Sequence, residues 1–248
     1  MSRRKKMNTP ILKIENLTKK YGDFVAVDNL SLEIQPGEIC AFIGHNGAGK
    51  TTTLKVAIGI LEADEGDVYI DGVSISRDPF EAKRRGSYIP DNPDLYEFLS
   101  GIKYLNFVAD VFGVSAEMRN EKIATLAERF GLTDALATKI SAYSHGMKQK
   151  LAIISAFLHS PKLVMMDEPF VGLDPVAAHV LKEIMHEHCS DGGSIFFSTH
   201  VLDVAEKLCD RVAIIKGGKL VVTGSMDEVR GDASLEDVFL ELEERSNA

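Results

Sequence analysis

Gly44-His45-Asn46-Gly47-Ala48-Gly49-Lys50-Thr51 is the stretch that decides the fold of this chain. It fits G-x-x-x-x-G-K-[ST], a loop whose successive backbone N–H groups converge on phosphate. The glycines let the backbone curl with no Cβ in the way, and the oriented amides form a concave anion site. Lys50 brings a full positive charge, Thr51 a hydroxyl for Mg²⁺, and Thr52 comes next on the same turn. His45, Asn46 and Ala48 fill the variable positions, with His45 contributing through its backbone. The flanks agree with the motif. Residues 39–43 form an unbroken apolar run, read as a buried strand, and residues 51–60 have helical character. A helix starting near Lys50 would point its positive end at a bound phosphate.

Such a loop names a nucleotide but no reaction, because GTPases, kinases and motor ATPases share it. Leu163-Val164-Met165-Met166-Asp167-Glu168 narrows the choice. Four apolar residues and then two acids read as a buried strand whose carboxylates emerge at the ligand crevice of an α/β sheet. Asp167 is positioned to hold Mg²⁺ through water, and Glu168 to orient and polarise an attacking water.

Outward from these two segments, residues 11–15, 30–34 and 67–71 read as strands. Their antiparallel pairing beside the strand–loop–helix unit predicts a mixed sheet. Residues 93–159 are helical in pattern, with Ile123, Leu126, Ala127 and Phe130 at helical spacing and Gly131 as a stop. The last third alternates again. It has a helix over 175–189 with Pro175 in its first turn, a strand over 194–198 and a helix over 201–208. Next come a hairpin of 211–216 and 219–222 across Gly217-Gly218 and a closing helix over 236–244. The resulting division is a basic tail at 1–10, a core at 11–91 and 160–230, a helical insert at 92–159 and a C-terminal helix and tail at 231–248.

Composition bounds the function. The 248 residues are 45% hydrophobic and 26% charged, ordinary for a globular chain and unlike a disordered, collagenous or coiled-coil one. Lys+Arg 28 against Asp+Glu 37 gives a net charge of −9, the wrong sign for general nucleic-acid binding. No apolar run approaches the roughly 18 residues of a spanning helix. Arg3, Arg4, Lys5 and Lys6 resemble the front of a signal peptide, but Asn8, Lys13, Glu15 and Asn16 break the apolar stretch that such a peptide needs. The tail reads as solvated, with weak attraction to anionic headgroups as the alternative. Cys40, Cys189 and Cys209 are odd in number and widely spaced, which fits neither a disulfide framework nor a CxxC metal site and suits a reducing cytosol. His186, His188 and Cys189 lie close in sequence but point apart on a helix.

Tyr143-Ser144-His145-Gly146-Met147-Lys148-Gln149-Lys150, just before the acidic strand, resembles the LSGGQ signature of ABC ATPases. Gly172-Leu173-Asp174-Pro175 is similar to their D-loop, His200 to their H-loop histidine, and Tyr21 to their adenine-stacking aromatic. Taken in chain order, these segments cover nearly everything from residue 11 to 222. The resemblance implies an α/β P-loop NTPase core with a mixed β-sheet, an antiparallel β subdomain and an inserted α-helical subdomain. It implies ATP and Mg²⁺ as cofactors and head-to-tail pairing with a second ATPase domain, as a homodimer or with a paralogue. Ser144 and Gly146 of one copy would meet the γ-phosphate held by the other, Asp174 would couple the sites, and His200 would sense the γ-phosphate. Lys50, Glu168 and His200 would be catalytic.

Two departures stand out. Asp91, after Ser87-Tyr88-Ile89-Pro90, replaces the family's usual glutamine; its carboxylate could still serve Mg²⁺ or water. His145 and Met147 replace a glycine and a glutamine of the signature. The resemblance also implies a separate integral membrane permease docked on the insert through Pro93, Leu95, Tyr96 and Phe98, which would make the protein cytoplasmic and peripheral on the inner face of the membrane. Residues 234–242 look like the tail of exporter-type members, which favours export. The alternative is a soluble ABC ATPase that remodels a protein assembly, as in iron–sulfur cluster assembly.

Overall fold

The computed structural model describes residues 9–244; the four basic residues Arg3 to Lys6 lie outside the described residues. In chain order the elements are β1 (Leu12–Tyr21), β2 (Phe24–Ile34), β3 (Ile39–Ile43), α1 (Lys50–Ala57), β4 (Glu65–Ile70), β5 (Val73–Ser74), α2 (Pro79–Arg85) and β6 (Gly86–Ile89). Then come α3 (Gly101–Val111), α4 (Ala116–Arg129), α5 (His145–Phe157), β7 (Leu163–Asp167), α6 (Pro175–Ser190), β8 (Ser194–Thr199) and α7 (Leu202–Leu208). The chain closes with β9 (Arg211–Lys216), β10 (Lys219–Ser225), α8 (Met226–Arg230) and α9 (Leu235–Glu244).

The centre is a six-stranded sheet of order β10-β9-β3-β8-β7-β6, parallel except for β10 at one edge. Every residue of β3, β7 and β8 is buried, as expected of parallel strands covered on both faces. The alternation of side chains then builds two cores. Ile39, Ala41, Ile43, Val164, Met166, Ile195 and Phe197 face α5 and α6. Cys40, Phe42, Leu163, Met165 and Phe196 face α1 and a second sheet. That second sheet, order β2-β1-β4-β5, is wholly antiparallel. The early strands therefore form the antiparallel β subdomain that the family resemblance implies, beside the core sheet. The core sheet is mixed because of the C-terminal hairpin across Gly217-Gly218.

Both early strands are longer than their alternation suggests. Asn16 (φ 48) and Asn29 (φ 50) adopt left-handed backbone, and the β1–β2 register shifts between Ile14 and Leu17. Such a bulge inserts a residue and reverses which face the next side chain takes. Helix α2 is absent from the sequence reading, although its signals are present: Asp78 caps Glu81 N–H, and Pro79 occupies the first turn. Pro93 and Leu95 are buried, so only Tyr96 and Phe98 of the expected docking residues are on the surface. Among the described residues no helix is long and apolar enough to cross a membrane.

Two histidines are folded in without charge. The His159 ring stacks on Phe112 (centroids 3.7 Å) with Nε2 3.3 Å from Gly86 O, and His188 lies edge-on to Phe157 at 5.4 Å. Burial pulls each pKa down to about 4. An unfolded histidine titrates near 6.5, so between those values the unfolded chain binds more protons and stability rises with pH. Full stability is present above about pH 6.5 and is progressively lost toward pH 4. Between pH 7 and pH 5 each histidine should cost about 2 kcal/mol, read as a lower guanidinium midpoint at pH 5. Equal midpoints at the two pH values would contradict these assignments.

Candidate functional site

Strand β3 runs straight into the glycine-rich loop, and α1 begins at Lys50. The loop needs its glycines. Gly47 and Gly49 have φ of 82 and 108, and a Cβ on Gly49 would stand 2.5 Å from Ala26 O. Lys50 is only 6% exposed. Its Nζ donates to Gly44 O (2.5 Å) and His45 O (3.3 Å) and lies 4.0 Å from Glu168 Oε1. Burial lowers the Lys50 pKa, opposed by the carboxylates of Glu168 and Asp167.

Thr51 Oγ1 donates to Asp167 Oδ2 at 2.5 Å, and the Ser198 hydroxyl donates to the other oxygen of the same carboxylate. Asp167 is 2% exposed and ends β7 directly opposite Ser198 of β8. Glu168 comes next in a left-handed conformation (φ 46), held by hydrogen bonds from its N–H to Ser198 Oγ (3.0 Å) and Ser198 O (3.2 Å). For a non-glycine residue this backbone costs of order 1–3 kcal/mol. It turns the side chain so that Oε1 meets His200 Nδ1 at 2.9 Å. Ser198, which braces both acids, is invisible to a linear reading: its role depends on the β7–β8 register, which no local pattern encodes.

A cavity of about 330 Å³ joins these groups. Tyr21, His45, Asn46, Gly47, Gly49, Lys50, Thr51, Thr52, Asp91, Asp167 and Glu168 line it, and Phe24 and Ala26 complete its wall. Phe24 is 64% exposed and Tyr21 50%. They face each other across the two-residue turn Gly22-Asp23, with Gly22 at φ 59. That turn is the sequence signal for Phe24, since a two-residue hairpin loop sets its flanking residues opposite one another. The donor set suits a small hard cation: a hydroxyl and a buried carboxylate meet at one point, with a second carboxylate, Asp91, on the same wall.

Ser144, Gly146 and Asp174 form a different surface and do not line this cavity. Ser144 caps α5, accepting from Met147 N–H (3.3 Å), and Asp174 caps α6, accepting from Ala177 N–H (2.8 Å). The two helix starts touch. A Cβ on Gly146 would lie 2.8 Å from Gly172 O, and one on Gly172 (φ 81) would lie 2.5 Å from His145 Cδ2. Lys150 Nζ pairs with Asp174 Oδ2 at 2.8 Å, and this bond, with the Ala177 N–H, holds the Asp174 carboxyl below the usual range. His145 thus packs against Gly172, and the His45 ring lies 3.3 Å from Glu243.

The family model described as ABC transporter matches residues 27–171. The chain is 36% identical over 237 residues to the ABC-type transporter ATP-binding protein EcsA of Bacillus subtilis, covering 94% of this chain and 96% of that one. It is 35% identical over 221 residues to the Nod factor export ATP-binding protein I of Cupriavidus metallidurans, covering 89% of this chain and 73% of that one. A solved structure described as an ATP binding subunit of an ABC transporter superimposes with a TM-score of 0.90 at 36% identity, over 94% of this chain and 99% of that chain. The cbiO1 protein of Clostridium perfringens, part of the transporter complex cbiONQ, gives 0.75 at 27% identity, over 89% and 90%. Together with the cradle and the acidic strand end, these likenesses identify the chain as a member of the ABC transporter family, an ATP-binding subunit that binds and hydrolyses ATP.

Proposed function

We propose that this subunit works as one half of a head-to-tail pair, with ATP held between the cradle of one copy and the α5 start of the other. The observation that carries the reading is the division of the site. One surface has the cradle and both acids around the cavity, with His200 joined to it through Glu168; Ser144, Gly146 and Asp174 do not line that cavity. The N–H groups of Gly44 to Thr51 and the Lys50 ammonium would bind the phosphates, and Tyr21, with Phe24 beside it, would stack on adenine. Thr51 and Asp167 would hold Mg²⁺, with Asp91 near; when bound, the ion supplies charge neutralisation at the phosphate oxygens.

Glu168 acts as the base. It orients a water for in-line attack on the γ-phosphorus and accepts its proton while the bond to the β–γ bridging oxygen breaks. His200 steadies the carboxylate through Nδ1 and would sense the γ-phosphate through it.

Ser144→Arg tests the shared site. Turnover should fall roughly 100-fold, the scale for losing one transition-state donor, while the affinity of the isolated chain for ADP stays within about twofold. Retained turnover, or loss of ADP affinity in step with it, would place Ser144 elsewhere.

A membrane permease is the partner we infer. Tyr96 and Phe98 are exposed and cluster with Phe107 on α3, at 6.0 and 5.6 Å between centroids from Tyr96. Contiguous aromatic exposure of this kind marks an interaction surface. Export is the direction favoured by the C-terminal helix and by the name of the Cupriavidus relative. A tagged chain should therefore sediment with membranes and bring down a multi-span protein. A chain found only with soluble partners would support protein remodelling instead.

A further inference from the structure

The C-terminal helix reaches the phosphate cradle. Leu235 and Phe239 seat α9 in the core, and the Leu235 N–H donates to Glu206 Oε2 at 3.0 Å. At its other end Glu243 Oε2 lies 3.3 Å from His45 Nε2 and 3.0 Å from Lys216 Nζ. The same ammonium donates to Leu242 O (3.2 Å) and Glu243 O (3.1 Å), holding the last turn of the helix. The Phe239 ring meets the His45 ring edge-on at 5.1 Å. The preceding strand residue, Ile215, is pressed against the loop: its carbonyl oxygen is 2.5 Å from where a Gly44 Cβ would stand, and its Cδ1 3.3 Å from that of Gly49. Loop, strand β9 and helix α9 therefore share one junction, around a cavity of about 200 Å³.

His45 is the second residue of the loop, so the contacts of its ring with Glu243 and Phe239 tie the loop to α9. We propose that Glu243 and Phe239 are positioning residues for the phosphate cradle: by gripping the His45 ring from α9 they pre-organise the loop, so that docking of the C-terminal helix sets nucleotide affinity. The inference rests on the reading of Gly44 to Thr51 as the nucleotide cradle. A loop already held in its binding shape loses less freedom when ligand arrives. The linkage is reciprocal, so nucleotide must tighten α9 by the factor with which α9 tightens nucleotide.

The test uses the full chain with ADP as the probe. Glu243→Gln keeps the side-chain shape and removes the charge. It should raise the Kd for ADP about fivefold or more, and the loss in ATP turnover should appear in KM rather than kcat. In a His45→Ala background the same change should add less than about twofold, because its route is gone. In the wild type, ADP should slow amide exchange over residues 235–244. An unchanged Kd in folded Glu243→Gln, or an equal effect in both backgrounds, would overturn the proposal. Should the variant not fold, exchange over α9 that ignores ADP would overturn it equally. Failure of the wild-type chain to bind ADP at all would instead sink the cradle reading, and this inference with it.

Discussion

With Glu168 replaced by glutamine, the protein should still bind ATP, lose turnover by roughly 10²–10⁴-fold, and run as a dimer on size exclusion when ATP is saturating. The geometry explains why these effects separate. Glutamine keeps the length of the side chain and an oxygen for the contact that Glu168 Oε1 now makes with His200 Nδ1 at 2.9 Å. The backbone at this position is held by Ser198 and does not depend on the carboxylate. The amide cannot accept a proton from water, however, so the attacking group stays weak. ATP is bound and not consumed, and the pair it joins cannot release. A monomer at saturating ATP, or turnover within tenfold of wild type, would contradict both the base assignment and the shared site.

Lys50→Ala should produce the opposite separation, in which binding itself fails. The ammonium is buried, and its two carbonyl partners, Gly44 O and His45 O, belong to the loop that it would help to close on phosphate. Charge-assisted hydrogen bonds contribute about 1.5–3 kcal/mol each, so losing two toward a phosphate should raise the Kd for ATP by at least about 100-fold. Turnover should fall below detection. The fold itself should barely notice, because burial already disfavours the charged lysine and its removal relieves that cost. An equilibrium titration with ATP, alongside a thermal melt, separates the two effects. ATP affinity within threefold of wild type would remove Lys50 from the site.

Reading along the chain is enough wherever the chemistry is contiguous. The cradle needs glycines, a lysine and a threonine at fixed spacing, and the apolar strand before it needs only hydrophobicity. Asp167 and Glu168 are visible because an apolar run ending in two acids has few other uses in an α/β sheet. What tertiary structure alone decides lies between residues far apart. Ser198 braces Asp167 and Glu168 across 31 and 30 positions through the β7–β8 register. Asn16 and Asn29 reverse the alternation of strands that look regular. Glu243 finds His45 only because β9 carries α9 to the edge of the loop. Side-chain periodicity is a property of one segment, so a linear reading captures it. Register, bulges and the meeting of distant ends depend on how the segments pack, and packing exists only in the folded chain.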